Sequence, residues 1–348
     1  MKKKLLILSN IPTPYQLDFI DALKVNFSVL AIFLNAKEEN RDWKLSSLKN
    51  VIILNFSCRI QAWHKMKNIL LKFRPDFVIV GGYTLPLSLL LKSYCYFRRI
   101  EYFYWLEKPL PSSIFKRFVR SAIWAITLPH SKGILCIGSR ALKIYRQYSN
   151  NLLNLPYSIK LSKYQEKKVF IGPGNKVKFL YVGQYIERKG IYELLQAFSE
   201  TDEKKAQLSL VGSGELHYLV DEYAKKFKQI ENIGFVNPPE LYALYSKYDV
   251  LIIPSNHDGW AVVVAEAMAS GLAIIGTEKT GAFEDLVLKN DCGLTCKVNK
   301  VSISSAVEKY IENVKMLHKH SKNAITTIHK SSASSKNAAN ALANFLLR

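Results

Sequence analysis

Eleven short runs of leucine, β-branched and aromatic residues recur along the chain, each bounded by turn residues and followed by a longer amphipathic stretch. In the first half they are LLILS (5–9), SVLAIFL (28–34), VIILNF (51–56), DFVIVGG (76–82), IEYFYWL (100–106) and GILCIG (133–138). In the second they are VKFLYVG (177–183), QLSLVGS (207–213), ENIGFV (231–236), DVLIIPS (249–255) and LAIIGT (272–277). Runs this short and this apolar suit strands buried on both faces, as in a parallel sheet covered by helices. Intervening stretches such as IYELLQAFSE and LYALYSKY have helical character, so the alternation predicts βαβ units. The length of 348 residues, against ~100–200 per domain, predicts two of them. The expected fold is therefore α/β: two doubly wound, Rossmann-like domains with parallel sheets, at 1–165 and 166–325. A last helical segment, 326–348, is expected to return to the first domain. KLSKYQEKKVFIGPGNK (160–176), polar and basic with a Gly-Pro-Gly, reads as the linker. Ligands of such sheets sit beyond the carboxyl ends of the strands, and two domains facing each other would enclose a cleft.

A hydrophobic content of 49% excludes disorder as the main state. The five cysteines are scattered, and the one close pair, Cys292 and Cys296, has no nearby histidine or second pair to complete a zinc site. That usage suits a reduced, cytosolic protein. MKKKLLIL starts like a signal peptide, but its apolar part stops at Ser9-Asn10, short of the ~7–15 residues such a core needs. No apolar stretch approaches ~18 residues, so no bilayer span is expected. The charge is uneven. Residues 1–150 hold 24 Lys/Arg against 8 Asp/Glu, a net +16, whereas residues 151–348 hold 25 against 20, a net +5. An anionic partner for the first half, nucleic acid or an acidic membrane, competes with a merely solubilising surface.

NHDGWAVVVAEAMASG (256–271) sets Asp258 and Glu266 eight positions apart in an almost wholly apolar run. DVLIIPS reads as a buried strand, NHDGW as a turn, and AVVVAEAMAS as a helix ended by Gly271. At 1.5 Å per residue, eight positions span about 12 Å, too far for two carboxylates acting on one bond, which sit about 5–9.5 Å apart. Between them lies a helix start whose free N–H groups favour a phosphate. The pattern suits an extended ligand: hydroxyls at Asp258, phosphates over the helix start, a diol at Glu266. Alternatively Asp258 caps the helix and Glu266 is a solvated face residue. The apolar neighbours Val263, Val264, Ala265, Ala267 and Met268 argue that Glu266 needs a partner.

This D-x7-E arrangement, followed by AMASG, resembles the E-x7-E motif of retaining glycosyltransferases of family 4, which have the GT-B fold. VGQYIERKGIYELLQAF (182–198), LVGSGE (210–215) and NIGFVNPPELYALYSKYDVLIIPS (232–255) match in order, and SNIPTPYQLDF (9–19) resembles the first loop of some members. The resemblance implies a nucleotide-diphosphate-sugar donor, UDP being the expected nucleotide, and a front-face displacement that needs neither metal nor protein nucleophile. It implies that Glu266 holds the ribose hydroxyls and Asp258 the donor sugar, with Lys189 neutralising the diphosphate. Gly259, Trp260, Ala261 and Val262 would bring backbone N–H groups to the ligand. Gly212 and Gly214 would let the chain pass close to the nucleotide, beside Gly183 and Gln184, and Phe235 would flank the base. Members usually carry Glu where Asp258 stands, which leaves the donor sugar open, and often Arg where Gln184 stands. Arg188 can supply that charge, since a guanidinium matches phosphate. Arg188 and Lys189 also read as two ordinary solvated charges.

The first domain would then hold the acceptor. Its post-strand loops NIPTPYQ, GGYTLP and LEKPLP offer Pro14, Tyr15, Gly82 and Tyr83, with Glu107 to orient or deprotonate an acceptor hydroxyl. Glu107 equally suits a surface charge, and Gly81-Gly82 an ordinary turn. SIFKRFVRSAIWAI (113–126) places Phe115, Phe118, Val119, Ala122, Ile123 and Ile126 on one face, with Lys116, Arg117 and Arg120 off it. Such a helix can lie in an anionic interface or pack its apolar face on its own sheet. With +16 on the domain, the expectation is peripheral association with the inner face of a membrane and a lipid-linked saccharide acceptor, as in bacterial surface polysaccharide synthesis. A nucleotide-sugar 2-epimerase of the same fold is the alternative; it would need no basic first domain. No nucleic-acid-binding module is recognisable.

Overall fold

The computed structural model describes residues 1–36, 50–54, 59–82, 86–109, 113–166, 172 and 174–348. The chain divides into two compact units, Met1–Ser158 with Ser335–Arg348, and Ile159–Ser334.

The first unit runs β1 (Lys4–Ser9), α1 (Pro14–Leu23), β2 (Ser28–Phe33), β3 (Val51–Ile53), α2 (Arg59–Phe73), β4 (Phe77–Gly81), α3 (Pro86–Arg98), β5 (Glu101–Leu106), α4 (Ile114–Thr127), β6 (Gly133–Cys136), α5 (Ser139–Tyr145) and β7 (Leu152–Asn154). Its sheet has the order β3-β2-β1-β4-β5-β6-β7, with every paired neighbour parallel. The second unit runs β8 (Val177–Val182), α6 (Ile191–Ser199), β9 (Ala206–Val211), α7 (His217–Lys226), β10 (Ile230–Gly234), α8 (Pro238–Tyr245), β11 (Val250–Ile253), α9 (Val262–Ala269), β12 (Ala273–Gly276), β13 (Gly293–Thr295), α10 (Lys300–Glu312) and α11 (Val314–Lys330). Its order is β10-β9-β8-β11-β12-β13, again parallel throughout. In both sheets the first strand is central and the chain winds outward one way, then the other. The order reverses between β1 and β4 and between β8 and β11, the places where such sheets hold ligands. The near-continuous burial of Leu5–Leu8, Val78–Val80, Phe179–Tyr181 and Leu251–Ile252 is what double coverage by helices requires.

Three expectations are corrected. β7 and β13 were not read from sequence, because LLN and GLT, unlike the VIILNF run around β3, do not stand within a longer β-branched apolar run. The stretch 160–176 is not simply a linker: Ile159 pairs with Ser334, and Tyr164 is buried in the second unit. Residues 167–171 and 173 lie outside those described. The domain boundaries also move, from 165 to 158 and from 325 to 334. A break at 325 would cut α11, whose helix is continuous to Lys330. The last helix, α12 (Ser335–Leu346), buries Ala338, Ala339, Leu342, Ala343 and Leu346 in the first unit, where it packs on α1 and sets Phe345 against Phe103 of β5.

Candidate functional site

At the carboxyl ends of β8 and β11 two loops are locked together. Beyond β8, a 3-10 turn over Glu187–Lys189 ends at Gly190, whose backbone is left-handed (φ 69°). A side chain there would meet the Pro254 carbonyl, so glycine is what lets this turn reach the loop beyond β11. Asn256 N–H donates to the Arg188 carbonyl at 2.8 Å, and the Arg188 guanidinium donates to the His257 carbonyl at 3.0 Å. Lys189 pairs with Asp258, the two side chains being 14% and 19% exposed. These are therefore not two freely solvated charges. Tyr181 lies beneath, its hydroxyl donating to the Gln184 carbonyl at 2.9 Å. Burial, and secondarily Tyr185 and Asp258, push its phenol well above its ordinary range, so it stays a neutral donor.

Asp258 does not cap the helix that follows. It pairs with Thr280 through the backbone, and the chain runs on beside 279–282, with Ala282 N–H donating to the Trp260 carbonyl at 2.8 Å. The N-cap of α9 is Ala261, left-handed at φ 63° and ψ 77°, with no side-chain hydrogen bond to the helix start. A non-glycine residue in this region is strained by about 1–3 kcal/mol, and the start of α9 keeps its donors unclaimed by any cap. The helical-rise estimate of the Asp258–Glu266 span needs correcting, since only Val262 onward is helical. The Trp260 ring is 2% exposed, and its indole N–H lacks a hydrogen-bond partner among the described residues.

Glu266 is half-buried, and its carboxylate accepts from Tyr245 at 2.7 Å and from Tyr164 at 3.1 Å. Burial and the neighbouring Glu266 charge raise both phenols well above their ordinary range, so each remains a donor. Each phenol holds one oxygen of the carboxylate, Tyr164 on Oε1 and Tyr245 on Oε2. A carboxylate offers about four lone-pair sites in all. Replacing Tyr245 with Phe is expected to lower stability by about 1.5–3 kcal/mol, the range for a hydrogen bond to a charge, as read by urea denaturation. Wild-type stability in Tyr245→Phe would mean that this contact carries nothing.

The remaining expected donor residues take these positions. Gly183 N–H donates to the Val211 carbonyl at 3.0 Å, and the Gly212–Gly214 loop lies directly on Gly183 and Tyr185. A side chain at Gly212 would meet the Gly183 carbonyl, and one at Gly214 the Tyr185 carbonyl, so contact between these chain segments already demands both glycines. Gly259 sits under Gly281, and Val262 opens α9. Phe235, 47% exposed, follows Gly234 at the carboxyl end of β10, where Gly212 N–H donates to the Gly234 carbonyl at 3.0 Å.

In the first unit, Pro14 and Tyr15 open α1 after β1, Gly82 follows β4 and Glu107 follows β5, at one edge of three adjacent strands. Tyr15 packs on Tyr157 (ring centroids 4.8 Å), which packs on Trp105 (5.5 Å). The Glu107 carbonyl accepts from Tyr145 at 2.9 Å. Tyr83 lies outside the described residues. Sequence reasoning missed Tyr164, Tyr245, Tyr181 and Tyr157. The only available signal was the three-residue spacing of Tyr242, Tyr245 and Tyr248 in LYALYSKY. Among the described residues no group of three or more His, Cys, Asp or Glu side chains is gathered as metal ligands.

Residues 163–327 match the family model described as glycosyl transferases group 1. An uncharacterized glycosyltransferase of Methanocaldococcus jannaschii is 26% identical over 172 residues, 49% of this chain and 46% of that protein. The capsular polysaccharide biosynthesis glycosyltransferase CapM of Staphylococcus aureus is 28% identical over 139 residues, 38% of this chain and 36% of its own length. The chain thus spans less than half the length of these curated relatives. Among solved structures, Anabaena HepE in complex with UDP superposes with a TM-score of 0.76 at 15% identity, covering 100% of both chains. Sucrose-phosphate synthase from Thermosynechococcus elongatus gives 0.76 at 15% identity, over 99% of this chain and 98% of that one. The fold is GT-B. The family match lies within the second unit and covers just under half of the chain.

Proposed function

We propose that the chain is a retaining glycosyltransferase that moves a sugar from a UDP-sugar to a lipid-linked saccharide at the inner face of a membrane, in surface polysaccharide synthesis. The observation that carries the reading is the Lys189–Asp258 pair beside the uncapped start of α9, with Glu266 further along that helix. HepE, a structural neighbour, binds UDP and UDP-glucose, which supports the choice of nucleotide. In this reading Glu266 accepts from the ribose hydroxyls while Tyr164 and Tyr245 hold it in place. The diphosphate lies over the α9 start and draws Lys189 toward it, with Arg188 adjacent. Asp258 then accepts from hydroxyls of the donor sugar.

The anomeric carbon–phosphate oxygen bond breaks as the acceptor oxygen bonds the same face of that carbon. The acceptor's proton passes to the departing phosphate oxygen. Charge grows on that leaving group, so cations and N–H donors already in place lower the barrier directly. Pro14, Tyr15, Gly82 and Glu107 remain the candidates for the acceptor side.

A thermal-shift panel of UDP-, GDP-, ADP- and dTDP-sugars tests the reading, with UDP-sugars expected to stabilise most. No shift with any of the four would remove the donor site. Asp258→Asn is expected to cut turnover on the order of a hundredfold while leaving the affinity for free UDP within a few-fold. Equal losses in both would show that Asp258 does not act through the sugar.

A further inference from the structure

We propose that the outer faces of α3 and α4 form a docking surface for an anionic lipid bilayer. The proposal rests on the reading of a membrane-borne acceptor, but its evidence lies wholly outside the donor site. The packing alternative for α4 does not hold. Its inward side is Trp124 and Leu128, at 2% and 0% exposure, whereas Phe115, Phe118 and Ile123 are 75%, 73% and 48% exposed. The helix therefore turns its apolar stripe to solvent and needs only the opposite side for its sheet. On α3, Tyr96 and Phe97 are 66% and 81% exposed.

The two helices share one side of β5. Buried Lys92 of α3 donates to the Tyr104 hydroxyl at 3.1 Å, which in turn meets the Thr127 carbonyl of α4 at 3.5 Å. The Tyr96 ring packs on His130, just beyond α4, at 6.4 Å. Nine of the twenty large hydrophobic side chains exposed among the described residues lie on these two helices. A concentration of that kind marks an interaction surface rather than ordinary scatter.

Charge selects the occupant. Residues 86–130 carry seven Lys/Arg and two Asp/Glu, and neither helix contains an acid. Arg98 and Arg99 close α3, Lys116 and Arg117 alternate with the exposed phenylalanines, and Arg120 lies over the Trp124 ring at 5.2 Å. Aromatic and aliphatic side chains flanked by cations match a boundary with hydrocarbon below and anionic headgroups above. A second copy of a chain with net charge +21 would bring like charges together at the same face.

The test is co-sedimentation of the full chain with vesicles of phosphatidylcholine alone or with added phosphatidylglycerol, at low and high salt. Wild type should partition at least ~10-fold more strongly onto the anionic vesicles, with the preference lost at high salt. Phe115→Ser with Phe118→Ser should cut partitioning ~10-fold or more, and Lys116→Gln with Arg117→Gln should remove the preference for phosphatidylglycerol. Unchanged circular dichroism in both variants shows that they fold. The same UDP-sugar thermal shift as wild type separates a failure of this surface from a failure of the donor site. Equal wild-type partitioning onto both vesicle types, or variants that bind like wild type, would overturn the proposal. So would a wild-type dimer by light scattering that the double phenylalanine variant dissociates, since the face would then serve a second copy.

Discussion

Glu266→Ala is expected to abolish stabilisation by UDP-sugars. Its carboxylate is the one acid on α9 and already has its position set by the Tyr245 and Tyr164 hydroxyls. Losing hydrogen bonds to a charged acceptor costs about 1.5–3 kcal/mol each, so donor affinity should fall on the order of a hundredfold. The alanine also leaves both phenols without their acceptor in a buried place, at about 1–3 kcal/mol each. The apparent melting temperature of the ligand-free variant should therefore drop by several degrees. Glu266→Gln separates the two effects. Its amide oxygen still accepts from the tyrosines and should recover part of the stability, while donor affinity stays low because the negative charge is gone. A Glu266→Ala protein that UDP-sugars stabilise as well as wild type would place the ribose elsewhere.

The second large effect is on turnover. Lys189→Ala is expected to lower kcat by roughly a hundredfold to a thousandfold, the range seen when one preorganised donor to a developing negative charge is removed. In the ligand-free protein the same change leaves Asp258 without its partner. Both side chains keep some solvent contact, at 14% and 19%, so the loss should be nearer about 1 kcal/mol than the several of a fully buried pair. The double variant Lys189→Ala with Asp258→Asn removes the unpaired charge. It should regain that stability without regaining turnover, which distinguishes a chemical role for Lys189 from a structural one. Near-normal kcat in Lys189→Ala would assign the leaving-group charge to Arg188 or to the α9 start alone.

Some of this was legible from residues alone. The strands of both sheets were readable because burial on both faces leaves short runs such as LLILS and DVLIIPS almost wholly apolar. α9 was readable for the same reason, with Gly271 just beyond its end in the left-handed conformation (φ 81°). β7 and β13 were not, since LLN and GLT have no β-branched apolar run like the VIILNF around β3 and are held by backbone pairing to a neighbour already in place. The basic amphipathic character of α4 was visible, but not which side would meet the sheet. One helix with two usable faces is settled only by what packs against it, and here Trp124 and Leu128 took the inward side.

The local order of residues determined which groups are available: a Lys-Gly turn, an acid ahead of a helix, an acid within it. Only the tertiary structure decided their partners. Lys189 and Asp258 are 69 positions apart, and Tyr164 and Glu266 are 102 apart. Lys189 and Asp258 meet because β8 and β11 are neighbours in the sheet and the loops beyond them leave at the same edge, and Tyr164 reaches Glu266 because the segment ahead of β8 folds onto the second unit. No sequence period encodes contacts of this kind, so the tyrosines that hold Glu266 became visible only in the folded chain.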